Sequence, residues 1–410
     1  MKIAHVYDEH YRVSPEKGSV AKVIYNLAKT QAQLGHDVTV LERQWKDLPK
    51  QERQGTIQFV RFPLPIGSDI EGEEVPYKQI KSPTGLLTLL FDRLDLALKL
   101  RKHFKETDYD VIHFHVPFAA NILIHICPKI RKKIVYTAHV GEEDTRFGLA
   151  KNNFVSRILS LFSPDLHLMK RITASSVLNE RLKEKIPPSD VRVIPNGVDV
   201  SEYNPENTEL VDLKSEFNIQ TPFVLFVGTI TPRKGPDILL DAIRSLEQAD
   251  NIDDFSFVFA GNQEIDIEFA TNLIERSTEL DTEIHFPGFV SLQELKALFA
   301  SADVFVLPSH EEGWGMVITE AMASETPIVA TDVSGIPHQV NHEENGYLIE
   351  RGDSSQLSDS IRILIEDRQL RRQMGEESRR IAVEQFSWNS VATQYMSMYN
   401  STVPGLNDKC

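Results

Sequence analysis

The sequence predicts an α/β fold made of two successive domains, each a parallel sheet flanked by helices. Two observations carry this. Short apolar runs of strand length alternate with longer amphipathic runs along nearly the whole chain, as repeated βαβ units require. The alternation is interrupted at Pro195-Asn196-Gly197-Val198-Asp199, an Asn-Gly turn followed by a polar stretch to Asn218. That interruption reads as the junction between two βαβ runs of similar organisation.

Composition narrows the class. The chain has 410 residues, 41% of them hydrophobic, enough for two proper cores. No apolar run reaches the length of a membrane span, and the N-terminal MKIAHVYDEH reads as a strand rather than a secretion signal. Two cysteines, Cys127 and Cys410, imply no disulfide framework, so a cytoplasmic location is expected. A net charge of −16 argues against nucleic acid, which needs a basic footprint. An anionic substrate would need a local cationic pocket.

In the first half, Lys2–Tyr7 reads as a buried parallel strand, followed by a helix from about Ser19 to Leu34 and a returning strand at Asp37–Leu41. Lys17-Gly18-Ser19 marks the helix start, where a glycine often serves only as a cap. Thr56–Arg61 is a further strand, and the proline-rich Pro63–Pro83 reads as a long loop. Leu86–Phe104 is helical, with Leu87, Leu90, Phe91, Leu94 and Leu98 on one stripe. It ends in the cations of KLRKHFK, and KIRKK closes the next helix at Lys133. Cations suit helix C-termini; a peripheral contact with a membrane surface is the competing reading. Asp110–His115 is a strand with His113 and His115 on one side, and Ile134–His139 is another, ending in His139. No cysteine or carboxylate completes a metal-ligand spacing around these histidines, so no metal is expected. Ile172–Ser175 and Val191–Ile194 read as the last strands of this half.

The second half opens with the strand Pro222–Val227, then Gly228-Thr229-Ile230-Thr231-Pro232-Arg233-Lys234-Gly235-Pro236. Gly228 ends the strand and Gly235-Pro236 starts a helix, so Arg233 and Lys234 project from a strand-to-helix loop. Adjacent cations there suit a diphosphate. Strands follow at Phe255–Ala260 and Ile284–Phe289, and a short helix at Leu292–Phe299. The most informative stretch is Val304–Gly352. A strand (Val304–Leu307) enters a polar loop, then Gly313-Trp314-Gly315, a helix Met316–Ser324 and a strand Pro327–Ala330. Glu312 and Glu320 bracket the turn with seven residues between them. The glycines permit close approach of a ligand, the helix start suits a phosphate, and the carboxylates suit sugar hydroxyls. Ser354–Glu366 and Arg368–Glu384 read as helices, and a last amphipathic helix follows Phe386-Ser387-Trp388.

This stretch resembles the Glu-x7-Glu signature of the retaining glycosyltransferases of family 4, through Glu312, Gly313, Gly315, Glu320, Ala321 and Met322, then Gly335, Pro337, Asn345 and Gly346. DVIHFH, TAH, PNGVD and Lys234-Gly235 resemble further segments of that family. The resemblance implies a GT-B fold: two Rossmann-like βαβ domains facing across a cleft, with a C-terminal helix crossing back to the first. The expected boundaries are 1–197 with the crossover helix 386–402, then 198–385, then a tail at 403–410. The resemblance implies a donor-sugar contact for Glu312, a ribose contact for Glu320, and sugar binding by the main chain at Gly313, Trp314, Gly315, Met316 and Val317. It implies phosphate contacts from Lys234 and the turns at Gly18 and Gly228, with the adjacent Arg233 expected to compensate for the arginine missing at 229, a donor-sugar approach by His139, and the base against the main chain of His285. Two positions depart from the pattern. Thr229 stands where relatives carry an arginine, and His338 where they carry a glutamate.

The expected function is therefore transfer of a sugar from a nucleotide-diphosphate donor (UDP- or GDP-sugar) to an acceptor hydroxyl, with retention and without a cofactor or metal. The acceptor stays open among sugar, lipid-linked and small-molecule classes. Two alternatives stand beside it: a GT-B nucleotide-sugar epimerase, and a non-catalytic sugar-nucleotide-binding protein.

Overall fold

The structure is a computed structural model that describes residues 1–9, 11–16, 19–66, 82–139, 164–172, 174–186, 191–206, 211–219, 222–249 and 255–402. Gly18, Lys17, most of the predicted loop 63–83 and the predicted tail 403–410 lie outside the described residues. The chain divides into two compact units, one formed by Met1–Pro195 together with the chain from Val391 onward, the other by Asn196–Ser390.

The first unit has strands β1 (Lys2–Tyr7), β2 (Asp37–Arg43), β3 (Gln51–Gln54), β4 (Ile57–Phe62), β5 (Val111–Phe114), β6 (Ile134–Ala138), β7 (Ala174–Val177) and β8 (Val191–Val193). They form one sheet in the order β3-β4-β2-β1-β5-β6-β7-β8. Every pairing is parallel except the edge hairpin β3–β4, which the sequence pattern did not disclose. Successive side chains of a strand point to opposite faces, so the sheet carries two cores. One packs Val38, Val40, Ile57 and Phe59 under the helix Ser19–Gln33. The other packs Ala4, Val6, Ile112 and Phe114 under the helices Pro83–Glu106 and Pro117–Ile126.

The helix Pro83–Glu106 corrects the simplest use of its apolar stripe. Leu87, Leu90, Phe91, Leu94 and Leu98 are all exposed, and the buried face is Asp92, Arg93, Leu96, Ala97 and Leu100. Its inward face is fixed by charge. Arg43 meets Asp92 through two hydrogen bonds of 2.6 and 3.1 Å, with both side chains buried. The main chain of Ile66 closes the pair, its N–H donating to Asp92 Oδ1 and its carbonyl accepting from Arg43. A helix that must bring a carboxylate to a buried guanidinium cannot also turn its leucine stripe inward.

The second unit has strands β9 (Phe223–Val227), β10 (Ser256–Ala260), β11 (Ile284–Gly288), β12 (Val304–Leu307), β13 (Ile328–Thr331) and β14 (Gly346–Ile349). They form an all-parallel sheet in the order β11-β10-β9-β12-β13-β14. Strands β9, β10, β12 and β13 are buried throughout, as a parallel sheet covered on both faces requires. The order reverses between β9 and β12, the switch point at whose carboxyl ends α/β sheets hold ligands. The chain leaves through the helix Arg368–Ile381 and a π-helical turn Ala382–Phe386. There Val198 N–H donates to the carbonyl of Phe386 at 2.8 Å, so the two strands of chain that join the units are bonded to each other. The final helix Trp388–Thr402 supplies the first unit with Tyr395 and Tyr399.

Breaking a buried ion pair strands a charge in a low-dielectric interior. Asp92→Ala should lower unfolding stability by about 3–5 kcal/mol in urea titrations. The double change Arg43→Met/Asp92→Leu should recover most of that loss, since it leaves no buried charge.

Candidate active site

The switch point of the second sheet gathers two loops. The first follows β9 and ends in the short turn Pro232–Lys234 and Gly235, from which the helix Pro236–Gln248 starts. The second follows β12 and runs through Ser309 to Gly315. Gly235 has a left-handed backbone, φ +67°, and a Cβ there would overlap the carbonyl oxygen of Pro308. That main-chain approach ties the loops together. His310 N–H donates to the carbonyl of Arg233 at 2.9 Å, and the Arg233 guanidinium donates to the carbonyl of Glu311 at 3.1 Å.

Between the tied loops lies the central contact of the site. Lys234 Nζ pairs with Glu312 Oε1, and Ser309 Oγ donates to the same oxygen at 3.0 Å. Ser309 and Glu312 are buried, and Lys234 is largely covered by neighbours that include Gly228. Thr229 takes no part in this pairing and sits 3.4 Å from Thr231, hydroxyl to hydroxyl.

The helix Met316–Ala323 begins at Gly315, whose φ is +69°. Its first N–H groups have no partner within the helix, which gives that end partial positive charge. Gln339 is fully buried and donates to the carbonyl of Gly315 at 3.1 Å, while Asn345 holds Gln339 from behind, amide to carbonyl, at 3.2 Å. Gly335 lies so close that a Cβ would sit 2.6 Å from the carbonyl oxygen of Gly313. Gly335 and Asn345 of the sequence signature therefore hold the turn at Gly313–Gly315. Trp314 is buried with its ring edge-on to Phe386, and Met316 and Val317 are half-buried at the start of the helix. Glu320 is buried one turn into the helix beside Tyr203, whose hydroxyl is held well above its ordinary range by burial first and by the charge of Glu320 second. Tyr203 thus stays a phenol and a donor. His285 sits on the edge strand β11, with Nε2 3.2 Å from Glu283. His338 lies in the short turn Ile336–His338, next to Gln339.

His139 lies in the first unit, at the carboxyl end of β6. Half-buried itself, it adjoins a buried chain of imidazoles. His139 Nε2 is 2.9 Å from His115 Nδ1, His115 Nε2 is 2.9 Å from His5 Nδ1, and His5 Nε2 is 2.8 Å from Gln31 Oε1. His113, opposite His5 in the β1–β5 register, bonds to the Tyr399 hydroxyl and to Thr137, each at 2.7 Å. The ring nitrogens of His5, His113 and His115 lie close enough to hold a metal ion. Each of the three is already hydrogen-bonded through both nitrogens, so a metal there would have to displace those partners. Burial lowers the pKa of His5 to about 4, and burial with neighbouring imidazoles drives His113 and His115 well below the ordinary value.

Two family models match the chain: "Glycosyltransferase Family 4" over residues 20–202 and "Glycosyl transferases group 1" over residues 209–381. The chain belongs to the family 4 glycosyltransferases. It is 26% identical over 402 residues to D-inositol 3-phosphate glycosyltransferase of Corynebacterium aurimucosum, covering 94% of this chain and 91% of that one. It is 26% identical to N-acetyl-alpha-D-glucosaminyl L-malate synthase of Bacillus anthracis, covering 75% and 78%. Among solved structures it is similar to HepE of Anabaena in complex with UDP, with a TM-score of 0.70, 19% identity, and 98% and 100% of the chains covered. The fold is GT-B and the protein is a glycosyltransferase. Among the described residues, no helix is long and apolar enough to cross a membrane.

In this glycosyltransferase the structure brings Gly228, Arg233, Lys234 and Glu312 together, with Gly313–Val317 and Glu320 along the next turn and helix. Sequence reasoning missed Ser309, Gln339 and Tyr203, which hold these groups. It also missed His5 and Gln31, whose relation to His139 is a matter of strand register and helix packing.

The histidine chain makes stability depend on pH. A histidine whose folded pKa is depressed binds a proton more readily in the unfolded chain. Stability is then full above 6.5 and is lost as pH falls toward about 4. His5 alone should account for about 3 kcal/mol over that window, and His113 and His115 act in the same direction. Urea titrations from pH 7 to 4 should show the fall, and His5→Gln should flatten it. Equal slopes in the two proteins would reject the assignment.

Proposed function

We propose that the enzyme moves a sugar from a nucleoside-diphosphate sugar to an acceptor hydroxyl with retention at the anomeric carbon. The carrying observation is the contact of Lys234 with Glu312 at the switch point of the second sheet. A sugar nucleotide has a hydroxylated ring bonded directly to a diphosphate, so its site needs a carboxylate for hydroxyls beside cations for phosphate. Glu312 and Lys234 supply that juxtaposition, with Arg233 on the same loop. The helix N-terminus after Gly315 adds positive potential, and Glu320 serves the ribose. The base packs against the main chain of His285, and His139 contacts substrate sugar.

As the glycosidic bond breaks, the diphosphate gains charge, and Arg233, Lys234 and the helix start stabilise it more than they stabilise the ground state. These groups take the place of a metal. The acceptor oxygen forms its bond on the face the phosphate leaves, and the acceptor proton passes to the departing phosphate oxygen. UDP complexes of HepE support a uridine donor. The named activities of the two curated relatives support a polar, hydroxyl-bearing acceptor.

Calorimetry separates the two glutamates. Glu320→Ala should weaken nucleoside-diphosphate binding by about 1.5–3 kcal/mol, the cost of a lost charged hydrogen bond. Glu312→Ala should leave that affinity nearly unchanged while transfer collapses. Equal binding losses would overturn the division of roles. Turnover that disappears with EDTA alone would mean that a metal carries the diphosphate, and an inverted anomeric signal in the product would reject retention.

The exposed stripe of the helix Pro83–Glu106 favours an anionic lipid surface as a further partner. Leu87, Leu90, Phe91, Leu94 and Leu98 are between 38% and 63% exposed. At 100° per residue the same face continues into Arg101, Lys102 and Lys105. Apolar residues running into cations on one face, in a chain of net charge −16, suit a negative membrane surface. The enzyme should sediment with phosphatidylglycerol vesicles, more weakly with phosphatidylcholine. Leu90→Gln/Phe91→Gln and Lys102→Glu/Lys105→Glu should each reduce binding. Concentration-dependent self-association without vesicle binding would point to a second copy of the chain on this face.

A further inference from the structure

The peptide between Gly315 and Met316 opens the helix Met316–Ala323, and its direction decides what the helix start can bind. Gly315 has a left-handed backbone and no side chain to cap the helix, so nothing of its own fixes that peptide. Two donors hold its carbonyl instead. Ile318 N–H reaches it at 2.9 Å from the first helical turn, and Gln339 Nε2 reaches it at 3.1 Å from the core. In a planar trans peptide the N–H points opposite to the carbonyl. The Met316 N–H therefore points away from both donors.

The Gln339 amide has one possible orientation here. A main-chain carbonyl only accepts, so the end that faces Gly315 is the NH2. The main chain of Gln339 is fixed as well. Its N–H donates to the carbonyl of Ile336 at 2.8 Å, and its carbonyl accepts from Asn345 Nδ2 at 3.2 Å. Asn345 is anchored in turn, its Oδ1 accepting from Asn341 N–H at 2.7 Å and its carbonyl accepting from the Ser378 hydroxyl at 3.1 Å. Gln339 and Asn345 are fully buried.

The other end of the amide gains nothing for the fold. Gln339 Oε1 is buried and has no hydrogen-bond partner among the described residues, and an unpaired buried acceptor is unfavourable. An apolar side chain of the same length would remove that penalty. It would strand no partner either, because the Gly315 carbonyl keeps Ile318 N–H and the Asn345 bond goes to main chain. What the amide adds is direction at Gly315.

We propose that Gln339 is a positioning residue, which fixes the Gly315–Met316 peptide so that the Met316 N–H is presented to a phosphate of the donor. The proposal rests on the reading of this helix start as a phosphate contact. Glycine is the residue at which a peptide turns over most easily. The reversed peptide would set a carbonyl oxygen against the phosphate, where an N–H attracts it.

Two measurements on the full chain test this. Nitrogen NMR of protein labelled at methionine, with Met316→Leu to identify the signal, follows the Met316 N–H. In the unmodified protein that signal should shift with UDP and stay in place with uridine, which has the same base and ribose and no phosphate. No shift would remove the phosphate reading, and the proposal with it. Calorimetry and thermal melting of Gln339→Met then address the side chain. UDP affinity should fall about tenfold, the scale of one hydrogen bond to a charged group. Uridine affinity should be unchanged and the melting midpoint unchanged or higher. A Met316 shift together with full UDP affinity in Gln339→Met would overturn the proposal alone. Equal losses for UDP and uridine, a lowered midpoint or failure of the variant to fold would make Gln339 a structural residue and overturn it likewise.

Discussion

The second unit's site depends on one main-chain approach, that of Gly235 to the carbonyl of Pro308. Parallel strands β9 and β12 are hydrogen-bonded neighbours, but that fixes only their backbones. The loops beyond them would be free to diverge if a side chain at 235 stood between them. Without it, the carbonyl of Arg233 reaches the N–H of His310, and Lys234 reaches Glu312. A cation and a carboxylate in partial burial are each costly alone. Ser309 spreads the carboxylate charge further by donating to the same oxygen. The site is thus preorganised by backbone contact first and by ion pairing second. Its precision does not require long side chains to order on ligand binding.

The first unit solves a different problem with different chemistry. Its sheet places His5, His113 and Thr137 on one face of adjacent strands, where aliphatic residues would be the ordinary filling. Burying imidazoles costs little if they stay neutral and every nitrogen is bonded. Gln31 from the helix Ser19–Gln33 and Tyr399 from the last helix complete those bonds. Tyr399 is itself held far above its ordinary range by burial, so it remains a phenol that can donate. Neutrality is what makes the cluster directional, since a charged ring would donate from both nitrogens and erase the order.

The grouping of the site's side chains in space was legible where the residues are close in sequence. Glu312, Gly313, Gly315 and Glu320 share one strand-loop-helix passage, and Arg233 and Lys234 share another, so their proximity could be read from the sequence, while their expected roles came from the family resemblance. Ser309, Gln339 and Tyr203 were not legible. Each is an ordinary polar residue whose role comes from what it faces, and Tyr203 lies more than a hundred residues before Glu320. The stripe of the helix Pro83–Glu106 shows the limit of periodicity most clearly. Leucines at helical spacing identified the helix, but the direction of the stripe was decided by Asp92 meeting Arg43. A hydrophobic period reports that a face exists. Which face is buried depends on all the partners across the interface, here Asp92 with Arg43 and Arg93 with Asp8 beside Leu96, Ala97 and Leu100.

The final helix explains why the chain must return. Residues 1–195 contain the whole first sheet, yet His113 would lack its Tyr399 partner and Thr137 its contact with Tyr395. Tyr395 and Tyr399 are one helical turn apart and buried, so one face of one helix serves both strands β5 and β6. The unit is therefore built from segments at opposite ends of the sequence, and its polar core is closed only when the last helix docks. The hydrogen bond between Val198 and Phe386 places the outgoing and returning chain side by side. A buried polar cluster half satisfied is less stable than an apolar one, so the same bonds that order the imidazoles also make docking of the last helix a condition of the first unit's stability.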